Sequence, residues 1–183
     1  MVYKTGAKKD GRLTGLQAKL VSDAGAYVYL SPWVLLYSMV GAAGPYRIPH
    51  VQIDGYTVLT NNTFTSANRG FGAPQVCFAY ESQMDELAHR LNMDPLDIRK
   101  INYLGKGEDL ATGQTLEHDV ALNETTVRAV QALGEKSSSK KGRRVGRGIA
   151  SGMTSYGRMV FLHDTSRSHV SIEMDGSVTI RAG

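Results

Sequence analysis

The residues best placed to do chemistry form one run, Asn68-Arg69-Gly70-Phe71-Gly72-Ala73-Pro74-Gln75. Two glycines flank an aromatic ring, an arginine precedes them and a proline follows. Glycine accepts positive φ and lets the backbone come close to a ligand. Pro74 is pre-set for the first turn of a helix. Amides at a helix start point outward and favour negative charge or acceptor oxygens. The run therefore describes a tight loop before a helix, able to face an anionic or oxygen-rich group, with Phe71 projecting from it. On spacing alone, an ordinary turn satisfies the same pattern.

Other chemistry is hard to build from this chain. His50, His89, His118, His163 and His169 are scattered, none pairs with another at a helical ligand step, and no zinc site is expected. His163 and Asp164 are adjacent, and neighbours on a strand point to opposite faces. Ser151 lacks the G-x-S-x-G frame of a nucleophile elbow. Gly70 and Gly72 are not followed by the Gly-Lys-Ser/Thr of a phosphate loop. Cys77 is the single cysteine, so no internal disulfide forms; a packed core thiol in a reducing compartment is the expectation. The result is a ligand-facing loop with no self-sufficient catalytic set.

The chain has 183 residues and is 42% hydrophobic, enough for one sizeable core or two small ones. Trp33 to Val40 is too short an apolar run to span a bilayer, and no basic-then-apolar leader opens the chain. A cytoplasmic protein with no membrane partner is expected. The net charge of +4 is concentrated in Lys136, Lys140, Lys141, Arg143, Arg144 and Arg147, mixed with Ser137 to Ser139. That composition reads as a solvated linker over 136–144. A second reading makes it a non-enzymatic module for nucleic acid or a phosphorylated partner, bound through charge. No aromatic residue is interleaved there, so base stacking is unsupported and no nucleic acid is expected.

The elements that must position the loop can be taken in order. Val2 to Ala7 and the alternating Leu16, Ala18 and Leu20 read as a hairpin turning at Asp10-Gly11. Ser31-Pro32 reads as cap and first turn of an apolar helix, Trp33 to Ala43, stopped by Gly44-Pro45. Ile48 to Thr60 is strand-like, with a bulge expected at Asp54-Gly55, where the apolar phase changes. Cys77, Tyr80, Met84, Leu87, Ala88 and Leu91 share one helix face, which leaves Glu81, Asp85 and Glu86 as surface charge. Asp94-Pro95 caps another helix, with Ile98 and Ile101 inward. Lys106 to Asn123 is irregular, Glu124 to Leu133 suits a short helix, and Val145 to Thr154 looks strand-like. Ser168 to Met174, Asp175-Gly176 and Ser177 to Arg181 read as a closing hairpin. Tyr56 and Phe64 are expected in the core. Interspersed helices and strands with hairpins at both ends give an α+β fold, an antiparallel or mixed sheet with packed helices.

Several further motifs accompany the loop. They are Gly44-Pro45-Tyr46-Arg47-Ile48-Pro49-His50, Tyr56 to Asn62, Phe78 to Asp85, and Met93-Asp94-Pro95-Leu96-Asp97-Ile98-Arg99-Lys100-Ile101-Asn102. In this order and at these distances the chain resembles the molybdenum hydroxylases, and more closely the molybdopterin-binding large subunit of the xanthine dehydrogenase and aldehyde oxidase family. The resemblance runs from end to end and is densest from Gly44 to Leu104.

The resemblance has implications for cofactor, site and partners. The implied cofactor is molybdopterin, which carries the metal, while the protein supplies orientation, hydrogen bonds and a base. Arg69, Gly70 and Gly72 would lie against the cofactor, and no side chain would bind the metal. Phe71 would pack on a flat substrate ring. The purine-oxidising members place an arginine where Tyr37 stands here, nine residues before Tyr46. A tyrosine cannot give arginine's bidentate contact, only one hydrogen bond, which leaves aldehydes, other N-heterocycles or aromatic thioesters as substrates. The parent reaction implied is oxidative hydroxylation with water as the oxygen source. Its partners would be the rest of the large subunit and iron–sulfur and flavin subunits or domains. Other parts of the family's site, the catalytic glutamate among them, have no counterpart in this sequence. The expectation is therefore a piece of the large subunit, inactive alone, holding no cofactor unaided and prone to self-association. Residues 1–135 would be part of the molybdopterin-binding domain, 136–144 the linker, and 145–183 the start of the next cofactor-binding region.

Overall fold

A computed structural model describes residues 1–134, 142, 144–154 and 165–182. Its elements are β1 (Val2–Ala7), β2 (Leu13–Gly25), α1 (Ser31–Gly41), β3 (His50–Leu59), α2 (Ala73–Leu91), α3 (Pro95–Asn102), α4 (Leu122–Leu133), β4 (Ser168–Ile172) and β5 (Val178–Ala182). The fold is α+β, with a mixed sheet and packed helices as expected.

β1 and β2 form the opening antiparallel hairpin, from Val2↔Lys19 to Ala7↔Leu13. Gly11 makes the turn possible at φ 87°. β3 adds to the other side of β2 and runs parallel to it, giving the order β1-β2-β3. α1 is what allows this, because a parallel neighbour needs a crossover to bring the chain back.

The bulge is not at Asp54-Gly55, where the ladder runs unbroken through Lys19↔Asp54, Leu20↔Gly55 and Val21↔Tyr56. It lies in β2, between Asp23 and Gly25. Gly55 serves helix packing instead: a Cβ there would come within 2.3 Å of Met39 Sδ on α1.

The core lies between α1, α2, α3 and the inner face of β2, with Leu20, Leu35, Val76, Met84 and Ile98 among its buried members. α3 is capped as expected: the Asp94 carboxylate accepts from the amides of Leu96 at 2.7 Å and Asp97 at 3.3 Å. α1 differs. Ser31 lies inside the helix, and its hydroxyl reaches Thr65 instead of the helix amides.

Other expectations are corrected. Glu81 is not surface charge but buried, because α2 presents it to an arginine on α3. Tyr56 and Phe64 are exposed: one faces outward on β3, the other sits in the loop beyond it. Residues 145–154 form no strand; they are held by contacts of Ser151 and by Arg147 Nη2, which donates to the carbonyls of Leu133 at 2.6 Å and Gly134 at 2.7 Å. Most of the basic linker, 136–141 and 143, and the His163-Asp164 pair lie outside the described residues.

The closing hairpin is present, β4 pairing with β5 through Val170↔Ile180 and Ile172↔Val178. Among the described residues no helix is long and apolar enough to cross a membrane.

Candidate functional site

Gly70, Phe71 and Gly72 are three successive left-handed residues, at φ 95°, 49° and 93°. Glycine adopts this region freely, but a bulky side chain such as Phe71 is held there only by its surroundings. Those surroundings are specific. Phe71 N donates to Asn68 O at 3.0 Å, and Ala73 N donates to Gly70 O at 2.9 Å. Asn68 Oδ1 accepts from Arg69 N at 2.9 Å. Gly72 is pressed onto α1, where a Cβ would lie 2.1 Å from Ser38 Oγ and 2.6 Å from Val34 O. α2 then starts, with Pro74 in its first turn.

The amides of Gly70 and Gly72 have no hydrogen-bond partner among the described residues. The Arg69 side chain is exposed and makes no ion pair among them. Gly70 is exposed, so its amide is a donor of the kind that suits an oxygen-rich group, whereas Gly72 is buried against α1.

The structure brings Tyr37 to the same place. Its ring meets that of Phe71 with centroids 5.2 Å apart and planes at 83°. Both are half-buried, and the Tyr37 hydroxyl has no partner among the described residues. All five predicted site residues, Tyr37, Arg69, Gly70, Phe71 and Gly72, therefore sit at one junction of α1 and the loop before α2. No group of three or more His, Cys, Asp or Glu suited to a metal occurs among the described residues.

Between α2 and α3 lies a polar cluster that the sequence reading missed. Arg99 is fully buried; its Nε meets Glu81 Oε2 at 2.8 Å and its Nη2 meets Asp85 Oδ1 at 2.8 Å. Glu81 also accepts from the Tyr46 hydroxyl and from Ser151 N, the latter at 2.9 Å. Tyr80 donates to Ser151 O at 3.2 Å, and Tyr103 pairs with the Ser151 hydroxyl. Burial works against the Arg99 charge, yet Glu81 and Asp85 hold its pKa above the ordinary value. Burial, then Glu81, pushes the Tyr46 phenol up. The available signal was two carboxylates one turn apart on α2, set against an arginine within α3.

The family model for the molybdopterin cofactor-binding domain matches residues 1–103. The chain belongs to the molybdopterin cofactor-binding domain family. The matched span contains Tyr37, the glycine loop, Glu81 and Arg99. Among curated relatives, the nicotinate dehydrogenase large molybdopterin subunit of Eubacterium barkeri is 45% identical over 143 residues, covering 78% of this chain and 34% of that subunit. A probable xanthine dehydrogenase subunit of Bacillus subtilis is 36% identical, covering 100% of this chain and 25% of that protein. Among solved structures, the aldehyde oxidoreductase of Desulfovibrio desulfuricans superposes with a TM-score of 0.82 at 30% identity, over 97% of this chain and 20% of that one. The chain spans about a third or less of the length of these relatives. A molybdopterin-binding domain fits the loop: the open Gly70 amide and the left-handed backbone offer a hydrogen bond and close backbone approach to an oxygen-rich cofactor.

Proposed function

We propose that this chain is part of the large subunit of a molybdopterin-dependent hydroxylase, which oxidises an aldehyde or an N-heterocycle carbon with water as the oxygen source. The observation that carries the reading is the Tyr37–Phe71 ring pair beside the left-handed cradle of Gly70 and Gly72. When bound, the cofactor supplies the two-electron oxidation chemistry. The chain's own residues do the rest. The backbone at Arg69, Gly70 and Gly72 would hold the cofactor. Phe71 offers an aromatic surface that orients a planar substrate. Tyr37 donates one hydrogen bond, which suits a neutral acceptor better than a group needing a guanidinium.

The names of the relatives support this assignment, each for its own protein. The partners of the parent enzyme are the remainder of the large subunit and iron–sulfur and flavin subunits or domains, and its setting is the cytoplasm. Residues 1–135 belong to the cofactor-binding domain, 136–144 are a linker, and 145–183 open the next cofactor-binding segment. The catalytic base is contributed from outside this chain, so the chain alone is inactive and holds no cofactor. Molybdenum content, with pterin fluorescence after acid release, tests the reading on this chain and on a complete large subunit containing it. The expected result is little on the chain and near-stoichiometric amounts on the subunit. A complete subunit without pterin overturns the assignment; a chain that binds metal and pterin unaided overturns the need for other walls.

A further inference from the structure

The stretch leading into the glycine loop, residues 60–65, has no secondary structure. It is nonetheless tied at several points to the end of β2. Asp23 Oδ1 accepts from Gly25 N at 2.8 Å and from Thr60 Oγ1 at 2.7 Å, while Oδ2 accepts from Asn62 Nδ2 at 2.6 Å. Thr65 Oγ1 donates to the Asp23 carbonyl at 2.6 Å. Backbone bonds run alongside: Thr60 N to Gly25 O, Ala26 N to Asn62 O and Thr65 N to Ala24 O, at 3.0–3.1 Å. Gly25, at φ 71°, is pressed against this stretch, and a Cβ there would lie 2.3 Å from Thr63 O and 2.6 Å from Phe64 Cα.

The clasp also reaches α1. Ser31 Oγ donates to the Thr65 carbonyl at 2.8 Å; the Thr65 hydroxyl, whose own proton goes to the Asp23 carbonyl, lies 3.0 Å from Ser31 Oγ and can only share that same serine proton. Ser38, two helical turns further along α1, meets the other end of the loop at Gly72. The two serines stand about 10 Å apart along the helix axis. The path from Thr65 to Gly72 is thus fastened at both ends to the helix that carries Tyr37.

We infer that Asp23, with Ser31 and Thr65, is a positioning residue that fixes where the Arg69–Gly72 backbone and the Phe71 ring stand relative to Tyr37. This rests on the proposed site for its functional meaning, but not for its geometry. Asp23 touches no site residue; it acts through the 60–65 stretch.

Hydrogen exchange on this chain tests it. The amides of Phe71 and Ala73, bonded within the loop, are the probes, and those of Arg47 and Leu104, bonded outside the clasp, are the controls. Asp23→Asn and Thr65→Val each remove acceptor or donor capacity at little change in shape. Each should speed exchange at Phe71 and Ala73 by about tenfold, the equivalent of one or two hydrogen bonds, and leave the controls unchanged. Asp23→Ala should do more than Asp23→Asn, and Gly25→Ala should match it. Unchanged exchange at Phe71 and Ala73 in all four variants overturns the inference. So does equal acceleration at Arg47 and Leu104, which would mark a merely structural role. In the complete large subunit, the variants should also lower pterin content. If loop exchange rises while pterin stays normal, the clasp stands and the cofactor assignment of the loop fails.

Discussion

The rings of Tyr37 and Phe71 stand nearly perpendicular, 5.2 Å between centroids, although one belongs to a helix and the other to a strained loop. Such a pair contributes about 1 kcal/mol beyond the area it buries. Phe71→Ala should lower kcat/KM of the parent enzyme by roughly tenfold or more for planar substrates. Tyr37→Phe keeps the ring contact and removes only the free hydroxyl. It should leave thermal stability unchanged and raise KM for substrates with a neutral acceptor. Steady-state kinetics with an aromatic aldehyde and an N-heterocycle separates the two effects; unchanged constants in both variants would remove the pair from the pocket.

Gly72 and Gly55 are both pressed onto α1, but their surroundings differ in softness. At Gly72 the obstacles are Ser38 Oγ and the Val34 carbonyl, and φ is left-handed. At Gly55 all three close atoms belong to the Met39 side chain. Gly72→Ala should therefore destabilise by about 3 kcal/mol or more, with no rescue from Ser38→Ala because the Val34 carbonyl remains. Gly55→Ala should cost about 1–3 kcal/mol and be largely rescued by Met39→Ala. Urea unfolding of the single and double variants gives the answer.

The Arg99–Glu81 pair predicts an asymmetry of a different kind. Both side chains are buried, so removing one strands the other. Arg99→Met or Glu81→Met alone should cost about 3–5 kcal/mol, whereas the double variant should recover a large part of that loss. Denaturant midpoints test it; additive losses would mean that Tyr46, Asp85 and Ser151 compensate for either partner.

Alkaline titration reports on three tyrosines packed into the core. Burial pushes the Tyr3 phenol up to about 12, and raises Tyr46 and Tyr80 as well. The native chain therefore keeps these protons where the unfolded chain, with phenols near 10, loses them. Their contribution to stability is whole below pH ~10 and is lost as pH rises through the folded values. Tyrosinate absorbance should show a fraction that titrates late, near pH ~12, or only on unfolding. A single transition near pH ~10 in the native chain would contradict the burial of all three.

Legibility in the sequence followed the kind of signal each feature carried. The hairpins announced themselves through Asp10-Gly11 and Asp175-Gly176, and α3 through Asp94-Pro95. The site loop was visible because left-handed backbone demands glycine, and Tyr37 only because the resemblance supplied its counterpart. Glu81 was misread since a helix periodicity assigns faces by hydrophobicity, and a carboxylate beside the apolar stripe looks solvated until its arginine is found. Gly55 was misread for a related reason: a glycine required by a bulge and one required by a passing helix are identical in one dimension. The bonds from Asp23 to Thr60, Asn62 and Thr65 span up to 42 residues, beyond any local pattern.

Ser151 is gripped by its own amide, carbonyl and hydroxyl, and little of its neighbourhood is buried with it. Arg147 Nη2 reaches back to the carbonyls of Leu133 and Gly134 at 2.6 and 2.7 Å, and these bonds are indifferent to how many residues separate Gly134 from Arg147. The interval between Gly134 and Arg147 is therefore where lineages can lengthen or shorten this chain without disturbing its interior. Length differences among relatives should collect there, rather than between β3 and α2, where the spacing from Thr65 to Gly72 is measured against two turns of a helix.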